Sequence, residues 1–145
     1  MLKGHGQTVN AVKLHRAHDG VLMSASSDRT VMVWDLGKEG AAKRTWHLKG
    51  EHGAAVLALS VHPVDDLFVS ASADGMWAVH SLRAQKTWSR VRADSCFGGL
   101  NALELHPDGQ IVGVGCNDGM VRIWDIRSNQ IGFTFEVGNG QKRGD

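Results

Sequence analysis

The chain has 145 residues, enough for one modest domain, and its 42% hydrophobic and 21% charged residues make a globular balance, not a disordered one. Sixteen basic and 15 acidic residues leave a formal net charge of +1, which excludes a bulk field drawing the chain to nucleic acid or an anionic membrane. The longest apolar-rich run, AAVLALSV at 54–61, is too short for a membrane-spanning helix, and the start, MLKGHGQT, holds no signal-peptide core.

In chain order the sequence reads as short strands rich in Val, Leu and Ile between turn residues. The first four fall near 9–14, 21–26, 30–35 and 44–48. Four more fall near 55–61, 67–72, 76–81 and 86–91, and the last four near 100–105, 111–115, 120–125 and 131–135. HPDG at 106–109 suits a type I turn, with Pro second and Gly fourth. DG at 74–75 and 118–119 suits a two-residue hairpin in which both central residues take positive φ. VMVW and IVGV are apolar on both faces, so each sheet is expected to be covered on both sides. No stretch sustains a helical period.

The strands repeat. His15, His62 and His106 each close an apolar run, 47 and 44 residues apart. Asp28, Asp74 and Asp118 are spaced by 46 and 44, as are Trp34, His80 and Trp124. Three markers in one rhythm define a repeated structural unit.

Four strands per unit, GH at 4–5 and WD at 34–35, resemble the WD40 repeat, and the third unit keeps HPDG and IWDI at 123–126. The resemblance implies an all-β propeller of about three four-stranded antiparallel blades, an incomplete ring, with blades about 4–48, 50–91 and 94–135 and a disordered Gly-rich tail over 136–145. It also implies a buried hydrogen-bond network of His5, Ser24 (or Ser26, on the same strand face), Asp28 and Trp34, with Asp74, Asp118 and Trp124 as repeats of its members. Ser, His and Asp are equally the ingredients of a hydrolytic triad, so a hydrolase using Ser24, His5 and Asp28 is the competing reading. Recurrence at the period of the fold favours structure, as does decay of the set: His80 replaces Trp, and Gly113 and Gly115 stand where serines would be. No residue is therefore assigned as catalytic.

GVGCNDG at 113–119 leads into a strand, not a helix, so it is a glycine-bearing hairpin and not a phosphate loop. His15 and His18 have no third ligand nearby in sequence, so neither a metal nor a cofactor is expected. Cys96 and Cys116 form no CxxC pair; a reducing compartment is the plain reading, with a single disulfide left open. The terminal RGD is a three-residue match without support, and Lys142 and Arg143 are too few for a nucleic-acid arm. Trp77 has two readings, blade packing or an aromatic offered to a partner, and packing is favoured.

The second unit departs from the consensus. SASADGMWAVHSLRAQKTW, with its early tryptophan and missing WD, resembles the family of pre-mRNA-processing factor nineteen, the spliceosomal U-box ubiquitin ligases. DSCFGG at 94–99 and the glycines of the following strand add to that likeness. The resemblance implies a nuclear, non-catalytic scaffold that recruits splicing components and ubiquitination substrates, with direct contact to neither nucleic acid nor membrane. Any ligase activity would lie in a U-box that this chain lacks. A scaffold of an unrelated WD40 complex is the alternative. Partner contacts are expected on the rim loops holding Gln7, Arg29, Met76 and Asp118, with Trp77 beside them. Three blades would leave two apolar faces bare, so the chain is expected to be a fragment or truncated product that needs further blades for closure.

Overall fold

A computed structural model describes residues 4–15, 20–37, 42–63, 66–92 and 99–126, and the backbone of 130–136. The chain forms three four-stranded antiparallel sheets, each a simple meander. The first holds β1 (Val9–Leu14), β2 (Val21–Ser26), β3 (Val31–Asp35) and β4 (Lys43–Leu48). The second holds β5 (Val56–Val61), β6 (Leu67–Ser72), β7 (Met76–Ser81) and β8 (Lys86–Arg92). The third holds β9 (Leu100–Leu105), β10 (Ile111–Cys116), β11 (Met120–Asp125) and β12 (Gln130–Glu136). Among the described residues there is no helix. These are WD40-type blades in an arc that does not close on itself, with strand ends within a residue of those expected.

The sheets fan out from β1, β5 and β9, with β5 packed against both of the others. Asn10 donates from Nδ2 to the Val56 carbonyl at 2.9 Å, and the Leu105 amide donates to Ser60 Oγ at 2.9 Å. Two apolar cores lie between the sheets. Met23, Ala25, Val31 and Val33 of the first sheet meet Val56, Leu59 and Phe68 of the second. Val69, Ala71, Trp77 and Val79 meet Leu100, Leu103, Val112 and Val114 across the next gap. The middle sheet is thus covered on both faces, because alternate residues of its strands point to opposite neighbours.

The outer face of the first sheet is bare. Val9, Val12 and Leu14 are 47%, 51% and 60% exposed, whereas Val56 and Leu59, in the registers of Val9 and Val12, are buried. Irregularities recur as faithfully as the strands. Each inner strand carries a bulge, at Asn10, Leu57 and Asn101, and each outer strand carries one, at Thr45, Trp88 and Gly132.

The hairpin turns differ from the two-residue form. Gly75 and Gly119 take φ of 84° and 85°, but the aspartates before them do not share it. The Gly75 amide reaches the Ser72 carbonyl at 3.2 Å, closing a type I turn, and the glycine then supplies a left-handed step. The aspartate is held otherwise because its side chain accepts the amide two residues on. Those bonds are Thr30 to Asp28 at 3.0 Å, Met76 to Asp74 at 2.9 Å and Met120 to Asp118 at 2.9 Å. In the first sheet Arg29 occupies the left-handed position, with φ of 73°.

One further correction follows from register. Ser24 pairs with Met32, Ser70 with Ala78, and Val114 with Arg122. Val114 and Cys116, not Gly113 and Gly115, therefore stand at the serine positions of the third sheet. The glycines fall instead where Met23 and Ala25 fill the core. Cys116, buried at the end of β10, is disulfide-bonded, against the plain reading of a reduced pair; Cys96 falls outside the described residues. The expected tail beyond Glu136, with its RGD, also falls outside them, as does His18.

Candidate functional site

Residues brought together by the first sheet lie at the end where β1 begins and β2 turns into β3. His5 approaches Asp28 Oδ2 with Nδ1 at 3.0 Å and Ser24 Oγ with Nε2 at 2.7 Å. Trp34 donates from Nε1 to Ser24 Oγ at 2.9 Å. An indole N–H only donates. With a neutral imidazole, Ser24 therefore accepts from Trp34 and donates to His5 Nε2, and His5 donates from Nδ1 to Asp28. Gly6 and Thr30 add bonds from their amides at 3.1 and 3.0 Å, and the Thr30 hydroxyl adds one at 2.6 Å. Burial raises the Asp28 pKa, but the bonds from Thr30, His5 and Gly6 outweigh it and hold the carboxyl well below the usual carboxylate range.

Ser26 does a different job from Ser24. Its hydroxyl donates to the Gln7 carbonyl at 3.3 Å and accepts the Asp28 amide at 3.1 Å, pinning the approach to β1 onto the turn. Ser72 repeats this with the Ala54 carbonyl and the Asp74 amide.

In the second sheet the chain of donors survives the loss of tryptophan. Ser70 Oγ lies 2.7 Å from Nε2 of both His52 and His80, and His80 Nδ1 lies 2.9 Å from Thr87 Oγ1. His80 takes the place of Trp34 and is fully buried. Burial, with a smaller push from His52, lowers its pKa to about 3. Burial lowers that of His52 as well. Asp74 Oδ2 accepts the Gly53 amide at 2.8 Å, while His52 Nδ1 is buried without a hydrogen-bond partner.

The third sheet solves the same problem with other residues. Arg122, which is 6% exposed, donates to Asp118 Oδ2 at 3.0 Å and takes the place of the histidine. That bond, set against burial, lowers the Asp118 pKa. Val114 offers no hydroxyl, and Trp124 Nε1 is buried without a hydrogen-bond partner. Sequence reasoning missed Arg122; its signal was a charge in strand register with Met32 and Ala78, where no charge occurs.

Of the rim residues, Gln7 and Arg29 are exposed and Met76 and Asp118 half-buried, all at the same end of the sheets. The Asp118 carboxylate is already occupied by Arg122 and the Met120 amide. Trp77 is fully buried, edge-on to Trp124 with ring centres 5.6 Å apart. It packs the second gap and offers no surface to a partner. On the bare face a depression of ≈ 470 Å³ is lined by Val9, Val12, Leu22, Trp34 and the edges of His5 and Ser24. Ser24 itself is buried and engaged by both the imidazole and the indole.

Comparison with known proteins places these features. The family model of the anaphase-promoting complex subunit 4 WD40 domain matches residues 59–142, and that of the WD domain, G-beta repeat, matches residues 1–35. Pre-mRNA-processing factor 19 homolog 2 of Arabidopsis thaliana is 36% identical over 140 residues, 97% of this chain and 26% of that protein. Pre-mRNA-processing factor 19 of Oryza sativa subsp. japonica is 32% identical over 139 residues, 94% of this chain and 26% of that protein. A guanine nucleotide-binding protein subunit beta of Solanum tuberosum is 33% identical over 154 residues, all of this chain and 38% of that protein. The chain thus spans about a quarter of the length of the pre-mRNA-processing relatives it matches.

Proposed function

Because this chain belongs to the WD40-repeat family, we propose that it is a non-catalytic platform for protein–protein contacts in pre-mRNA processing. The observation that carries the platform reading is that parts of one polar lock recur in all three sheets with different side chains. His5, Ser24 and Trp34 in the first become His52, Ser70 and His80 in the second, and Arg122 serves Asp118 in the third. A nucleophile, base and acid need fixed identities, whereas a lock needs only satisfied donors and acceptors. The processing role is supported by likeness to the pre-mRNA-processing factor 19 relatives.

The proposal extends to a nuclear address and to recruitment of splicing components and ubiquitination substrates for a U-box ligase, including one that serves DNA repair. Units 4–48, 50–91 and 94–135 act as blades of a larger ring, with 136–145 as a tail. Gln7 and Arg29 are the rim positions with free surface for a partner. The test is a pull-down from nuclear extract on the immobilised chain. Splicing components should be recovered, and Gln7→Ala with Arg29→Ala should reduce them. Full recovery on the double variant overturns the rim placement. Recovery of heterotrimeric G-protein partners instead would favour the other relatives. A serine-reactive phosphonate should leave Ser24 unlabelled; stoichiometric labelling there would establish the hydrolase.

A further inference from the structure

The outermost strands β4 and β8 face each other across a groove of ≈ 510 Å³. One wall is Trp46, braced edge-on against Phe68 and His80 at centroid distances of 6.2 and 6.3 Å. Gln85 ties one end, donating from Nε2 to the Thr45 carbonyl at 3.4 Å. Trp88 lies on the other wall, 63% exposed. It is the extra residue of the β8 bulge, a device that re-aims a side chain. The same bulge carries only Thr45 in β4 and Gly132 in β12, so the fold does not require a large aromatic there.

Charge in the groove is one-sided. Lys49, Lys86 and Arg90 line it against the single carboxylate Glu51, which sits 3.8 Å from Arg90. β8 is the edge strand of its sheet, so its outer backbone groups have no partner strand.

We propose that the groove between β4 and β8 docks an extended acidic peptide segment of a partner protein, with an apolar side chain seated on Trp88. Carboxylates would meet Lys49, Lys86 and Arg90, and main-chain groups would add to the β8 edge. A single-stranded nucleic acid would use the same cations, but it would need successive exposed rings for stacking. Among the described residues Trp88 is the one aromatic exposed. This site does not depend on the rim reading above.

The test is fluorescence anisotropy with the full chain and a short fluorescein-labelled peptide of glutamates around a central phenylalanine. Saturable binding that weakens with salt is expected. It should fall at least about tenfold in Trp88→Ala and in Lys86→Glu with Arg90→Glu. These side chains are exposed, and unchanged far-ultraviolet dichroism verifies the fold. No binding, equal binding by Trp88→Ala, or equal binding of the lysine-for-glutamate peptide would overturn the proposal. Tighter binding of single-stranded oligouridylate, lost in Trp88→Ala, would also overturn it in favour of a nucleic-acid groove.

Discussion

His80 meets Ser70 in the same register, and at nearly the same distance, as Trp34 meets Ser24: 2.7 Å against 2.9 Å. An imidazole and an indole thus fill one role, that of a buried ring nitrogen hydrogen-bonded to a strand hydroxyl. Deleting the hydroxyl leaves a donor and a ring nitrogen stranded. Ser24→Ala and Ser70→Ala should each cost about 1–3 kcal/mol, the penalty of an unsatisfied buried group. Urea denaturation reads this. A gain in stability, as often follows removal of a strained nucleophile, would contradict the structural role.

Acid should loosen the middle sheet before the turns. The folded pKa of His80 is pushed down to about 3 from 6.5, so the folded state disfavours its protonation. Its contribution to stability is full above the unfolded value and is lost as pH falls from about 6.5 toward 3. The whole span is worth about 4–5 kcal/mol at most. His52 adds in the same direction. Asp28, also lowered, contributes stability above its unfolded value near 3.8 and loses it only below that. Denaturation midpoints should therefore decline between pH 6 and 4, and the slope should shrink in His80→Phe. An unchanged slope in that variant would assign the acid response elsewhere.

Arg29 holds a left-handed conformation, φ 73°, where the second and third sheets use Gly75 and Gly119. An L-residue pays roughly 1–2 kcal/mol for that conformation, offset partly by the entropy glycine loses on folding. Arg29→Gly should thus raise stability by up to about 1 kcal/mol, read as a higher urea midpoint. A fall would mean that the Arg29 side chain makes a compensating contact.

Strand positions and the repeat were legible because apolar runs, turn residues and spacing all report backbone geometry. The lock in the first sheet was legible because every member has its usual identity. What could not be read was substitution by role. Arg122 looks like a stray charge until register sets it beside Asp118. Counting glycines put them at serine positions, and only the pairing of Val114 with Arg122 showed the one-residue offset. A side chain's face changes with every residue, so an error of one exchanges core for lock. The bulges were equally invisible, since a bulge adds a residue without a compositional mark.

That offset is itself testable. Val114 stands where Ser24 accepts the indole, and Trp124 Nε1 is buried without a hydrogen-bond partner. Val114→Ser should supply the acceptor and regain about 1 kcal/mol of what burying a hydroxyl costs. Val112→Ser, equally buried, has no such return. Denaturation should rank Val114→Ser clearly the more stable of the two. The reverse order would mean that Trp124 does not sit in the role of Trp34.

The last prediction concerns the bare face. Val56 and Leu59 are covered because the first sheet lies on them; Val9 and Val12, in the same registers, are 47% and 51% exposed. The depression beside them is lined by Leu22 and by the buried Trp34. A contiguous apolar face of this kind drives association, and the cover that fits it is another four-stranded sheet with the core side chains of β2 and β3. The isolated chain should then gain mass with concentration in light scattering. Val12→Lys with Leu14→Lys should suppress that gain and leave the sheet content unchanged, since both side chains already meet solvent. A concentration-independent monomer would show that the face is stable uncovered. Association undiminished in the double variant would place the contact on another surface.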